Sequence, residues 1–85
     1  MAVITKNKTE RGGFVCTKHV VTDAWRVNLN ADQTINNITA KVACYKDQTE
    51  VDAGNVCSTD VYTIEDTSTY DGTLAWIEGK VTDLI

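Results

Sequence analysis

The chain has 85 residues, 42% of them hydrophobic and 24% charged, and a formal net charge of −4. That length holds one domain with one modest core, and the composition is that of a folded protein rather than a disordered one. An acidic chain without a basic cluster argues against nucleic acid as a partner. A membrane partner is not expected either, since no stretch approaches the ~20 apolar residues of a bilayer span.

The opening residues "MAVITKNKTERGG" lack the apolar region of a secretory leader. A short apolar run, Ala2-Val3-Ile4, turns polar and ends at Gly12-Gly13, which reads as an N-terminal arm or edge strand over 1–13, ahead of a single domain over 14–85. Charge divides along the chain. Residues 1–30 carry Lys6, Lys8, Arg11, Lys18 and Arg26 against Glu10 and Asp23, whereas the remainder carries Lys41, Lys46 and Lys80 against ten acids. In a compact monomer these halves neutralise each other; in a head-to-tail assembly the basic arm docks on the acidic surface of the next subunit.

From Phe14 the chain is rich in β-branched and aromatic residues, in "FVCTKHVV" and then "AWRVNL". Trp25, Val27 and Leu29 alternate with Arg26, Asn28 and Asn30, so one face of this strand belongs to the core. A turn in "NADQTINN" leads to a second alternation, Ile38, Ala40, Val42 and Cys44, which predicts an antiparallel hairpin of 25–30 with 38–45. "KDQTEVDAGN" loses the period of two and reads as a loop or single helical turn stopped by Gly54. A further strand is expected over 56–64.

Two periods compete in the C-terminal segment. Leu74, Ile77, Val81 and Leu84 share one side of a helix capped by Asp71 or Thr73, while Ala75, Ile77, Gly79 and Val81 would line one face of a strand. Helix is the preferred reading. The expected fold is therefore α+β and mainly β: a small antiparallel sheet of three to four strands built on hairpins, with a short C-terminal helix. An all-β sandwich or barrel is the alternative. Trp25, Val27, Leu29, Ile38, Val42, Tyr62 and Ile77 are expected in the core. The thirteen threonines suit solvated sheet faces.

Catalytic side chains are sparse. Cys16, His19, Cys44 and Cys57 have the types of a Cys3His zinc site. However, residues 16 and 19 point to opposite faces of a regular strand, and their convergence requires a bulge or turn between them. The expectation is that the cysteines are free, small buried hydrophobes and that no cofactor is bound. Among possible disulfides, Cys44 with Cys57 is the pairing that neighbouring strands favour. His19 is the only candidate general base, and no nucleophile accompanies it in a local signature. The sequence points away from an enzyme.

The order "WRVNLNAD", a polar turn, "ITAKVACYKDQTEVDAG", then "VYTI" and "LAWIEGKVTDLI" is similar to short proteins encoded among the tail and baseplate genes of tailed bacteriophages. The likeness covers residues 22–85 and is carried by Trp25-Arg26-Val27, Tyr45, Ala53-Gly54 and Tyr62. It implies a phage origin and membership in a virion assembled in the host cytoplasm, and brings no catalytic motif. A short sheet with open edges and no proline suits a structural or assembly subunit that contacts itself and other virion proteins. The expected contact residues are Val3, Ile4, Lys6, Lys8 and Arg11 in the arm and Asp47, Glu50 and Asp52 in the acidic loop. A phage-encoded inhibitor of a host protein is the second reading, and a metal-stabilised binding module the third.

Overall fold

The computed structural model describes residues 2–10, 12–22 and 25–85. In chain order these form β1 (Ile4–Thr9), β2 (Val15–Val21), β3 (Arg26–Leu29), β4 (Ile35–Tyr45), α1 (Gln48–Ala53), β5 (Ser58–Ile64) and α2 (Leu74–Leu84). The fold is α+β and mostly β, with one open antiparallel sheet of five strands rather than three or four. Among the described residues no second sheet faces it, so the sandwich and barrel alternative falls.

β4 is the hub because its eleven residues are long enough to serve three partners. β5 pairs with it from Ile38 to Cys44. Its other edge is divided: β3 takes Ile35 to Thr39, β2 takes Val42 to Tyr45, and β1 lies outside β2. The predicted pairing of 25–30 with 38–45 is thus corrected. Only the first half of β4 belongs to the β3 hairpin, and residues 42–45 are claimed by a strand from earlier in the chain. The β3–β4 turn closes with Asn30 N donating to Thr34 O at 2.8 Å and Gln33 N to Asn30 O at 3.0 Å, with Gln33 left-handed at φ 72°.

Residues 4–9 are not a detached arm. They form the edge strand β1, Ile4 enters the core, and Gly13 N closes the turn into β2 on Glu10 O at 3.0 Å. Deleting them would strip the sheet of a strand rather than release a docking segment. The register of β1 against β2 shifts between Thr5 and Lys8, and the extra residue faces the stretch between Cys16 and Lys18. The extra residue lies in β1 and not between Cys16 and His19, yet both Cys16 and His19 are fully buried.

Ile38, Ala40, Val42 and Cys44 line the core face of β4, and Ile77 and Val81 of α2 close over them. Helix wins at the C terminus: Ile77 and Val81 reach zero exposure while Ala75 and Gly79, which a strand would set on the same face, are exposed. Each such burial stabilises the fold by roughly 1.5–3 kcal/mol. Thr73 caps the helix by accepting from Trp76 N at 3.2 Å. Tyr70 meets Trp76 edge-on, with ring centroids 5.0 Å apart, and the indole Nε1 donates to Thr69 Oγ1. The preceding loop is thereby pinned to α2.

Trp25, Val27 and Tyr62 pack against the core from its margin. Leu29 does not belong to it: at the end of a four-residue strand, beside a register shift, it is 54% exposed. Leu84, on the last turn of α2, is 47% exposed. Of the two readings, loop or helical turn, residues 48–53 take the helical one, bounded by Asp47, which accepts from Glu50 N at 3.0 Å, and, as the sequence suggests, by Gly54 at φ 74°. No helix is long and apolar enough to cross a membrane.

Candidate functional site

Three of the twelve acids build turns. Asp32, Asp66 and Asp71 each accept from the backbone N–H and the hydroxyl of the residue two positions on, namely Thr34, Ser68 and Thr73. These bonds favour the charged carboxylate and lower all three pKa values. Their role is local.

Glu10 and Asp60 differ because the fold carries them to the core margin. Asp60 lies directly opposite Val42, on the inner face of β5, and Ser58 lies opposite Cys44. Across the other edge of β4, His19 lies opposite Cys44. Lys8, paired with Cys16, reaches in from β1. Four strands thus bring Lys8, Glu10, Cys16, His19, Cys44, Ser58, Asp60 and Tyr62 to one end of the helix-covered face.

The contacts form a chain. His19 Nε2 is 2.7 Å from Lys6 O, and a carbonyl can only accept, so Nε2 carries the proton. In the neutral ring, Nδ1 then presents a lone pair to Cys44 Sγ at 3.3 Å. Cys44 Sγ is also 3.2 Å from Asp60 Oδ2. A thiol has one proton, so it satisfies His19 or Asp60 but not both. Lys8 Nζ donates to the same Asp60 oxygen and to Tyr62 OH, each at 2.7 Å, and stands 3.7 Å from Glu10 Oε1. Glu10 Oε1 and Ser58 Oγ are buried without a hydrogen-bond partner.

The electrostatics follow from this packing. Burial pushes the Cys44 thiol up to about 12, with the Asp60 charge adding to it. Burial likewise pushes Cys16 up to about 11, assisted by the neighbouring Cys57 thiol. Desolvation opposes the charge on Lys8, but its bonds to Asp60 and Tyr62 prevail and hold the ammonium well above its ordinary value. For Asp60 burial pulls upward, and the bonds from Lys8 and Cys44 prevail, leaving the carboxyl below its usual range. A thiol so buried and so reluctant to ionise is the reverse of an activated nucleophile.

The Cys3His set is not what the fold assembles. Cys16, His19 and Cys44 are buried, but Cys57 is exposed. The favoured Cys44–Cys57 bridge is also absent, because Ser58 and not Cys57 stands opposite Cys44, and all three cysteines are free. Among the described residues, the donors that cluster are Glu10, Cys44 and Asp60, with ligand atoms within 4.8 Å of one another. Reading the sequence missed Glu10 and Asp60, since nothing local separates them from the solvated acids. One signal was present: Asp60 occupies an inward position within the apolar alternation of β5.

The expected contact residues are scattered in role. Ile4 is core, Lys6 Nζ donates to Thr82 O at 2.8 Å, and Lys8 serves the cluster. Val3 is 38% exposed, and Arg11 lies outside the described residues. Asp47 caps α1, Asp52 accepts from Gln48 Nε2 at 3.0 Å, and Glu50 is half-buried. A shallow groove of about 270 Å³ runs between the end of β5 and α2, lined by Ile64, Lys80, Asp83 and Leu84 among others.

The face of the sheet opposite α2 keeps the paired Val20 and Ala43 buried among more exposed neighbours. By alternation and register it carries Lys18, Arg26, Lys41, Tyr45 and Val61 with several threonines, and among the described residues no acid. Val61 is 61% exposed. No protein-family model, curated protein or solved structure matches the chain, so its functional reading rests on this geometry and on the sequence.

Proposed function

We propose that the chain is a non-enzymatic assembly subunit of a bacteriophage particle, built into the virion in the host cytoplasm and contacting copies of itself and other virion proteins. The observation that carries the contact is the sheet face opposite α2, where Arg26, Lys41 and Val61 are exposed and which is basic in a chain of net charge −4. The acids that outweigh it include Asp47, Glu50 and Asp52 around α1 and Glu65, Asp66, Glu78 and Asp83 around α2. A basic face on one copy and an acidic helical side on the next make a head-to-tail contact. The phage setting is supported by the resemblance of residues 22–85 set out above.

Edge-to-edge pairing is the weaker route. β1 is bulged and carries Lys6 and Lys8, β3 has four residues, and β5 has the inward-pointing Asp60. These devices discourage strand addition. The face is left as the surface on offer. A non-enzymatic role agrees with the Cys44 thiol, which is buried and raised in pKa.

Light scattering across a salt series tests the contact. The wild type is expected to form an oligomer that dissociates as salt rises, and Lys18→Glu with Lys41→Glu to be monomeric at low salt. A monomer under all conditions would refute self-association and favour the inhibitor reading, in which the same face docks on an acidic host protein. A mass-spectrometric inventory of purified virions tests the setting.

A further inference from the structure

We infer that the chain binds a divalent ion of the zinc class through Cys44 Sγ and one carboxylate oxygen each from Glu10 and Asp60, a site that stands whether or not the chain assembles. The three donor atoms lie within 4.8 Å of one another. Around tetrahedral zinc, with bonds of about 2.0–2.3 Å, neighbouring donors are roughly 3.3–3.8 Å apart, so a small contraction completes the set. His19 Nδ1 stands 3.3 Å from the same sulfur, outside the group of three, and would take the fourth position after a further shift. Its Nε2–H is already anchored on Lys6 O, the arrangement that orients a metal-bound imidazole.

Two observations independent of that clustering ask for a cation. Glu10 Oε1 is aimed into the cluster without a hydrogen-bond partner, on a side chain only 9% exposed, with Lys8 Nζ no closer than 3.7 Å. Cys44 has a single proton for two acceptors. The charges close as well. Without an ion, Lys8 offsets only one of the two carboxylates; a dication bound to the Cys44 thiolate and both carboxylates, beside Lys8, leaves the cluster neutral. Binding releases the Cys44 proton to solvent, and no electron changes hands. The Lys8 and Asp60 side chains, 29% and 26% exposed, mark where the ion enters.

The test uses the full chain, stripped with chelator under reducing conditions and titrated with Co²⁺ and then Zn²⁺. Stoichiometric binding is expected, with thiolate-to-cobalt charge-transfer absorption that Zn²⁺ abolishes and a melting temperature that rises with Zn²⁺. Cys44→Ser is expected to lose the absorption, and Glu10→Gln, confirmed folded by circular dichroism, to weaken binding at least tenfold, about what loss of a supporting contact alone costs. Cys57→Ser is expected to bind as the wild type does. Absence of the cobalt absorption from the folded wild type, its persistence in Cys44→Ser, or its loss in Cys57→Ser would overturn the assignment.

Discussion

Replacing Lys8 by Met removes the cation that Asp60 and Tyr62 each hold at 2.7 Å while keeping most of the side chain's apolar bulk. Breaking a fully buried ion pair costs about 3–5 kcal/mol, and an exposed pair contributes about 0.2–1 kcal/mol. Here the side chains are 29% and 26% exposed. Solvent screening therefore takes off roughly half of the buried figure, and the expected loss is about 2 kcal/mol. That is a large share of the roughly 5–10 kcal/mol that holds a domain of this size together. Urea unfolding of chelator-treated protein at neutral pH, followed by circular dichroism, measures it. Asp60→Asn and the double variant complete a cycle whose coupling is expected at about 1–2 kcal/mol.

The pH dependence gives a second reading of the same pair. Asp60 has a lowered pKa in the folded chain, so its contribution is full above the ordinary carboxylate value and is lost as pH falls through the lowered one. The gap between wild type and Lys8→Met should accordingly narrow in acid. A coupling below about 0.3 kcal/mol, or a gap that ignores acid, would refute the claim that the fold builds a desolvated ion pair here.

Gly79→Ala should raise stability by about 0.5–1 kcal/mol, because the position is an exposed helix interior where an added Cβ meets nothing within 4 Å; a thermal melt reads the gain. Ile77→Ala should cost about 2–5 kcal/mol, since the side chain is wholly buried under α2, and a loss under 1 kcal/mol would mean that the helix is not clamped there. Raising pH should destabilise the reduced, metal-free protein. Cys16 and Cys44 are pushed up to about 11 and about 12 in the folded state, so their stability is fully present below the unfolded thiol value near 9 and is lost above it. The unfolding free energy from denaturant titration should fall beyond about pH 9, by up to about 1.4 kcal/mol per pH unit for each thiol, and less steeply in Cys44→Ala.

Local chemistry was legible wherever neighbours in sequence decide the outcome. The alternation of Ile38, Ala40, Val42 and Cys44 identified the core face of β4, because side-chain direction along a strand depends on nothing but parity. Gly54 announced the end of α1, and Asp71 or Thr73 the start of α2, since a cap satisfies backbone groups within three or four residues. Ile77 and Val81 carried the helical period, though Gly79 and a competing period of two left the segment open until burial decided it.

What only the tertiary structure decided is which strands meet. That β2 rather than β3 takes the second half of β4, and that residues 4–9 are an edge strand, depend on pairings between distant segments whose free energies differ by register and not by composition. The polar cluster follows from the same cause. Glu10, His19, Cys44 and Asp60 come from different segments and read singly as a solvated acid, a lone histidine, a small hydrophobe and another acid. Three ladders and one bulge put them side by side, and contact between groups far apart in the chain is what desolvates them, shifts their protons and makes them a site.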